Sequence, residues 1–554
     1  MNAAHAFTPS AQTDRFAHER LPPPEQWPEL LYALPELRVA SQTNLVDALF
    51  TRAFQNGHAD RPMLRSDALT LSYAQARQRV NQMAQALTYE LNLVPGNRVL
   101  LRGVNSIDMA LAWLAVVQAG LIAVATMPLL RAKELAEIID KARPALALCD
   151  AALLNELQLA QAQGAPLPAI VSFRLVEAPG SMTALSTLAA AQDGQATPCP
   201  TAADDIALMA FTSGTTGSPK AALHTHRDVL AACEAWPRHV LKSRASDIVV
   251  GTPPLAFTFG LGGLLLFPMH DGASVYFPAQ RWTPETMIEQ MVQIGATICY
   301  TAPTFYRQMA PFASRKRLPT LRLCVSAGES LASATRQLWQ DASGIEIIDG
   351  LGATEMFHIF ISSAPGDVRP GAIGKVVPGY RARVVDDHGN EVPRGTPGRL
   401  AVQGPTGCRY LDDARQFDYV QNGWNLTGDM CVQDADGYFF YQSRADELIV
   451  TAGYNVAGPE IEDALLTHPA VAECGVVGVL DAARGNLVKA FVVLKPGYGE
   501  GEAEDTAMVE ALQAHVRATL APYKYPRQIE FMRQLPRNES GKLQRFKLRQ
   551  LADS

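Results

Sequence analysis

The 554-residue chain offers little that would tie it to a metal cluster, a nucleic acid or an export route. Its eight cysteines (Cys149, Cys199, Cys233, Cys299, Cys324, Cys408, Cys431 and Cys474) include no Cys-x-x-Cys pair. That spacing fits neither a zinc site nor a disulfide framework, and it suits reduced thiols in a cytoplasmic protein. Basic residues are in deficit: 48 Lys and Arg against 55 Asp and Glu give a net charge of −7 at pH 7. Nucleic-acid binding asks for the opposite balance, although a local basic pocket remains compatible with it. Met1 to Pro24 lacks the basic start and apolar core of a signal peptide. No internal repeat is visible, and the Gly-x-x-x-x-Gly-Lys-Ser/Thr phosphate loop is missing.

One run resembles a membrane span. Met109 to Leu130 carries no charge and is long enough to cross a bilayer. Gly120 interrupts it, however, and Leu111, Leu114, Ala115 and Gln118 follow helical spacing, whereas Ile122 to Thr126 read as a strand. A buried helix, a glycine stop and a buried strand account for the run without a membrane.

The length exceeds what one hydrophobic core organises, so two or more domains are expected. Strand-like runs at Val99–Leu101, Ile122–Thr126, Ala145–Cys149, Ile206–Phe211, Ile248–Thr252, Ser274–Phe277, Thr297–Thr301 and Leu323–Ser326 alternate with helical segments, the pattern of a parallel α/β region. Residues 174–204 read as a surface excursion. Short strands at Arg381–Val385, Arg399–Gln403 and Gly437–Tyr441 predict a small β subdomain. A second domain follows Arg444-Ala-Asp446, with a helix at Gly458–Leu466, strands at Val471–Val479 and Val488–Leu494, and a long helix at Ala507–Leu520.

The densest chemistry lies at Thr212-Ser-Gly-Thr-Thr-Gly-Ser-Pro-Lys220. Glycines let the backbone amides approach an anion, and hydroxyls and a lysine add donors and positive charge. This is the composition of a polyphosphate-binding loop. Asp349-Gly-Leu-Gly-Ala-Thr-Glu355, Gly428-Asp429, Arg444, Asp446 and Arg537-Asn-Glu-Ser-Gly-Lys542 follow in order, each weak when taken alone.

Together, over roughly residues 45–550, these motifs resemble the adenylate-forming superfamily of acyl- and aryl-CoA ligases, luciferases and peptide-synthetase adenylation domains. Asp349-Gly-Leu-Gly-Ala-Thr-Glu-Met-Phe-His-Ile-Phe and Pro254-Leu-Ala-Phe-Thr-Phe-Gly-Leu-Gly resemble the benzoate-CoA ligase group. Ala452-Gly-Tyr-Asn-Val-Ala-Gly-Pro-Glu460 and His468-Pro-Ala-Val-Ala-Glu-Cys-Gly-Val-Val-Gly are most similar to 2-aminobenzoate-CoA ligases. The resemblance implies an α/β fold: a large adenylate-forming domain over 1–445 (parallel α/β layers and a small β-barrel-like subdomain) and a small mobile α+β domain over 446–554. It implies ATP, Mg2+ and coenzyme A as cofactors, a small aromatic acid as partner, and no nucleic acid or membrane; a homodimer is compatible. The reaction it implies joins carboxylate to the α-phosphate of ATP, expels pyrophosphate, then passes the acyl group to the thiol of coenzyme A.

Roles carried by the resemblance fall on particular residues. Thr212, Ser213, Gly214, Thr215, Thr216, Gly217 and Lys220 are expected around the β- and γ-phosphates, Thr354 on the α-phosphate and Glu355 on Mg2+. Ala327, Gly328, Glu329, Asp349, Gly350 and Leu351 flank the adenine, and Asp429 with Arg444 holds the ribose. Lys542 reaches the reacting oxygens, which makes Lys542, Thr354, Glu355 and Lys220 the expected catalytic set. Asp446 is the expected hinge, and Gly453 and Tyr454 face the pantetheine path. Phe257, Thr258, Phe259, Thr301, Ala302, Gly328, Leu351 and His358 surround the acyl group, with His358 and Thr258 on an ortho substituent. Transfer of the acyl group to a carrier protein is the alternative to coenzyme A; no carrier-like Asp-Ser-Leu segment closes the chain.

Overall fold

The computed structural model describes residues 9–174, 184–212, 219–445, 447–451, 454–481, 485–498, 502–521, 523–537 and 542–552. Two predominantly parallel sheets build the large N-terminal domain. The first orders its strands Ile170–Arg174, Leu146–Asp150, Arg98–Arg102, Ile122–Thr126, Ile206–Thr212 and Lys220–Thr225. All pair in parallel except the last, which returns antiparallel and places Lys220 opposite Thr212. The arms of the expected phosphate loop are thereby fixed by ladder pairing, although residues 213–218 between them lie outside the described residues.

The second sheet carries Ile248–Gly251, Ile298–Thr301, Leu323–Ala327 and Ile347–Gly352 as consecutive parallel neighbours. Their registers (Tyr300 with Gly251, Thr301 with Ser326, Ala327 with Gly350) bring the carboxyl ends into one row. Open parallel sheets take their ligands beyond that edge. A five-stranded antiparallel sheet containing Arg381–Val385, Gly398–Gln403, Trp424–Gln433 and Phe439–Arg444 supplies the β subdomain. The small C-terminal domain has a three-stranded sheet (Val471–Asp481, Gly485–Leu494 and Gln528–Phe531) covered by helices Gly458–Leu466 and Glu502–Thr519. It packs a core of its own around Ile461, Leu465, Val476, Val492 and Leu512.

The uncharged run resolves as expected. Ser106 caps the helix Ile107–Gln118 by accepting from the Met109 amide, Gly120 turns the chain at φ +76°, and Ile122–Thr126 enters the sheet. The helix is buried on every side, which explains why it carries no polar stripe. Among the described residues no helix is long and apolar enough to cross a membrane. The expected surface excursion is only partly one. Helix Leu185–Ala190 packs on helix Tyr73–Gln85, and the Thr201 hydroxyl, wholly buried, donates to the Thr43 carbonyl. Polar composition hid this docking because the hydrogen bonds of the segment are satisfied internally.

Leu114 stands at the centre of that buried helix with no exposed surface. Leu114→Ala is expected to cost about 2–5 kcal/mol. A lowered urea midpoint of the large domain checks this; an unchanged midpoint contradicts it.

Candidate active site

Four side chains meet at the phosphate-loop arms. The Lys220 ammonium donates to the Tyr410 hydroxyl at 2.8 Å and lies 3.5 Å from Glu355 Oε1. The Tyr410 hydroxyl in turn donates to the same Oε1 at 2.5 Å. Thr212 Oγ1 is buried with no hydrogen-bond partner among the described residues. Tyr410 arrives on a segment that pairs with the Lys220–Thr225 strand, through Leu223 N–H to Arg409 O and Leu411 N–H to Ala221 O. Burial and the Glu355 charge push the Tyr410 phenol far above its ordinary range, so it keeps its proton.

Glu355 sits in the short turn Thr354–Met356. Phe357 follows at φ +68°, ψ −50°, and the His358 amide closes a three-residue turn onto the Met356 carbonyl at 2.9 Å. This γ-turn is strained by about 1–3 kcal/mol for a side-chain-bearing residue. The buried Phe357 ring holds it in place, edge-on to His224 at 5.5 Å. His224 donates from Nε2 to the Thr354 carbonyl at 2.7 Å; burial lowers its pKa, which keeps the ring neutral. The turn therefore sets Glu355 beside Lys220 and Tyr410 and His358 among Trp236, Phe259 and Phe267.

The sheet edge gathers the expected adenine residues. Ala327 ends its strand, Gly328 turns at φ +88°, and Asp349, Gly350 and Leu351 lie on the neighbouring strand. Burial raises the Asp349 carboxyl to about 7, against the opposing pull of Arg336 at 4.0 Å and the Gly350 amide. Asp429 and Arg444 are cross-strand partners, with Nη1 of Arg444 3.0 Å from Oδ1 and 2.8 Å from the Thr427 carbonyl. Gly428 makes this possible: its φ is +78°, and a Cβ there would stand 2.6 Å from the Arg444 guanidinium.

The small domain reaches this edge. Glu329 accepts from Thr304 Oγ1 at 2.9 Å, from Arg537 at 3.0 Å and from the Leu543 amide at 3.3 Å. Lys542, the residue before Leu543, is thus tied by the backbone to the segment that carries Glu329. Arg545, three residues on, pairs with Glu462 at 2.6 Å and with Glu447 at 3.7 Å. Asp446 and Gly453 lie outside the described residues, as do Ser213, Gly214, Thr215, Thr216 and Gly217; Tyr454 begins the strand Tyr454–Val456.

The expected acyl residues cluster. Phe257 precedes the short helix Thr258–Leu261, Thr301 Oγ1 bonds Thr252 Oγ1 at 2.5 Å, Ala302 opens helix Pro303–Ala313, and Leu351 is half-buried. Phe259 meets Tyr300 at 5.8 Å and His358 at 5.6 Å between ring centroids. His358 is also enclosed by Trp236 and Phe267. Gly262 makes room for it, since a Cβ there would lie 2.6 Å from the imidazole Cδ2.

The model for AMP-binding enzymes matches residues 50–409, and that for the AMP-binding enzyme C-terminal domain matches 460–542. The chain belongs to the AMP-binding enzyme family. Within it, the ligase is 35% identical to benzoate–CoA ligase of Thauera aromatica over 93% of its own length and 97% of the relative's. The crystal structure of the anthranilate CoA ligase AuaEII in complex with anthranoyl-AMP superposes with a TM-score of 0.87 at 33% identity, covering 93% of this chain and 98% of that one. A benzoate CoA ligase from Burkholderia xenovorans LB400 gives 0.82 at 30%, covering 92% and 100%. The enzyme is an AMP-forming acid–thiol ligase of the benzoate-CoA ligase group, which makes aryl-CoA through an aryl-adenylate with ATP, Mg2+ and coenzyme A.

Sequence reasoning overlooked Tyr410 and His224, and named Arg537 only as the start of the motif that ends at Lys542. Tyr410 is 190 residues from Lys220, and no local spacing announces the pair.

Asp349 generates a pH prediction. Its folded pKa lies above the unfolded value near ~3.9, so the fold retains a proton that the open chain has released. The stabilisation is complete below pH ~4 and is lost as pH rises through about 7. Asp349→Asn is expected to gain thermal stability relative to the parent between pH 5 and pH 8. A melting-temperature difference that stays constant over that range contradicts it.

Proposed function

We propose that the ligase activates 2-aminobenzoate, and the observation that supports this best is the state of His358. Its Nε2 lies 3.3 Å from the Phe259 carbonyl, an acceptor, so Nε2 carries the proton. Burial pushes the imidazole down to about 3, leaving it neutral. Nδ1 is then a bare lone pair, buried among aromatic rings and without a partner among the described residues. A ring amine supplies the missing donor, and unsubstituted benzoate supplies none. Leaving such an acceptor unsatisfied costs about 1–3 kcal/mol. The bound anthranoyl-AMP of the AuaEII structure supports the same reading. Thr258, buried beside Phe259, completes the wall proposed for the ortho position.

The acid is ionised at neutral pH, so the chemical difficulty is the approach of an anion to a triphosphate. The proposed roles follow from that. Thr212 and Lys220 bind the β- and γ-phosphates; the unpartnered Thr212 hydroxyl fits this use. Thr354, fixed by His224, contacts the α-phosphate. Among the described residues no group of three or more His, Cys, Asp or Glu side chains could hold a metal ion. Glu355 would therefore hold Mg2+ as a single carboxylate, with phosphate oxygens and water completing the set. When bound, the ion neutralises charge on the phosphates. Asp429 and Arg444 hold the ribose, and Asp349 to Leu351 with Ala327 to Glu329 enclose the adenine. Lys542, brought in through Glu329, stabilises the charge that develops between carboxylate and α-phosphate. For thioester formation the small domain rotates about Asp446, the proposed boundary, and presents Gly453 and Tyr454 to the pantetheine arm.

His358→Ala is expected to lower kcat/KM about 10-fold or more on 2-aminobenzoate while changing benzoate much less. A carboxylic-acid panel measures it, and equal losses on both acids contradict the substrate assignment. Lys542→Ala is expected to slow pyrophosphate release by about 10²–10³-fold, yet to leave thioester formation from supplied aryl-adenylate near the parent rate. Unimpaired pyrophosphate release overturns the role of Lys542.

A further inference from the structure

The phenol of Tyr410 touches both charged groups of the phosphate corner, and the family roles assigned above make no use of it. Lys220 and Glu355 carry opposite charges only 3.5 Å apart in a nearly buried setting. Left to themselves, such a pair closes to direct hydrogen-bonding distance and neutralises itself. Here the shorter bonds run through one oxygen: Lys220 donates into it at 2.8 Å, and it donates on to Glu355 Oε1 at 2.5 Å. Glu355 Oε2 accepts no hydrogen bond among the described residues.

The phenol is itself immobile. Its ring meets Tyr419 edge-on at 5.8 Å. Its backbone amide donates to Gln416 Oε1 at 2.9 Å, while Gln416 Nε2 donates to the Cys408 and Gln26 carbonyls. A planar side chain locked at both ends is suited to set the position of softer neighbours.

We infer that Tyr410 is a positioning residue for the metal-side carboxylate: it holds Glu355 by one oxygen, leaves Oε2 presented to a divalent cation, and keeps Lys220 from occupying the carboxylate. The inference rests on the reading of Glu355 as the carboxylate that holds the metal. Loss of the hydroxyl lets Lys220 collapse onto Glu355, so cation affinity and phosphate contact weaken together.

The test is equilibrium binding of Mn2+ to the full chain, read by electron paramagnetic resonance in the presence of the α,β-methylene analogue of ATP. Tyr410→Phe is expected to weaken Mn2+ binding about 10-fold and to slow adenylation, with thioester formation from supplied aryl-adenylate unchanged. Glu355→Gln tests the underlying reading separately: Mn2+ affinity unaltered by it removes Glu355 as a ligand. If Glu355→Gln weakens Mn2+ and Tyr410→Phe does not, Tyr410 has no positioning role. Combining the two gives a second criterion. Tyr410→Phe is expected to add less than 2-fold to the loss in Glu355→Gln, whereas general loosening of the fold adds its full effect and overturns the inference. Should Tyr410→Phe fail to fold, Tyr410→Trp, which keeps a buried ring and one donor but removes the phenolic oxygen, is held to the same two criteria.

Discussion

Repulsion between a carboxylate and a triphosphate is the constraint to which the other features answer. Donors and a cation gather around Lys220, whereas the wall around His358 is aromatic. The low-dielectric surroundings make those groups effective because they are already oriented. The arrangement is costly to hold empty, since like donors also repel one another and buried charges seek partners. The Lys220–Tyr410–Glu355 cluster and the Asp429–Arg444 pair show one solution: resting partnerships in which each charged group has an opposite one beside it.

The scaffold explains how such distant residues converge. Parallel strands end on one edge, and short turns after Thr301, Ala327 and Gly352 deliver backbone and side chains there without long loops. The small domain meets the large one through polar contacts, among them Arg307 to the Ala472 carbonyl. Glu329 takes the Leu543 amide and the Arg537 guanidinium.

Much of this was legible from residue order. Ile122–Thr126, Arg381–Val385 and Gly458–Leu466 form the elements their composition predicts, with the same limits. Uninterrupted β-branched and apolar runs between turn residues admit few other structures. The glycine-rich motifs singled out Thr212, Lys220 and Glu355, which the fold brings near Tyr410 and His224, whereas Asp349 meets Arg336 at the sheet edge. What stayed hidden shares a physical cause. Tyr410 and His224 act through hydrogen bonds to residues far away in sequence, and nothing in their neighbours encodes the partner. The docking of helix Leu185–Ala190 was obscured because its polar flanks look like solvent-facing chain until their internal acceptors are known.

The turn at Phe357 ties two kinds of recognition to a single backbone distortion. Thr354 and Glu355 stand on one side of it and His358 on the other, with no flexible spacer between. Any drift that relaxes the turn on the His358 side also displaces Thr354 and Glu355. Exchange of side chains around His358 that spares this turn therefore falls on Phe257, Thr258 and Phe259, because a Cβ at Gly260 or Gly262 would clash with its neighbours. There a side chain can be exchanged while Thr354 and Glu355 keep their places.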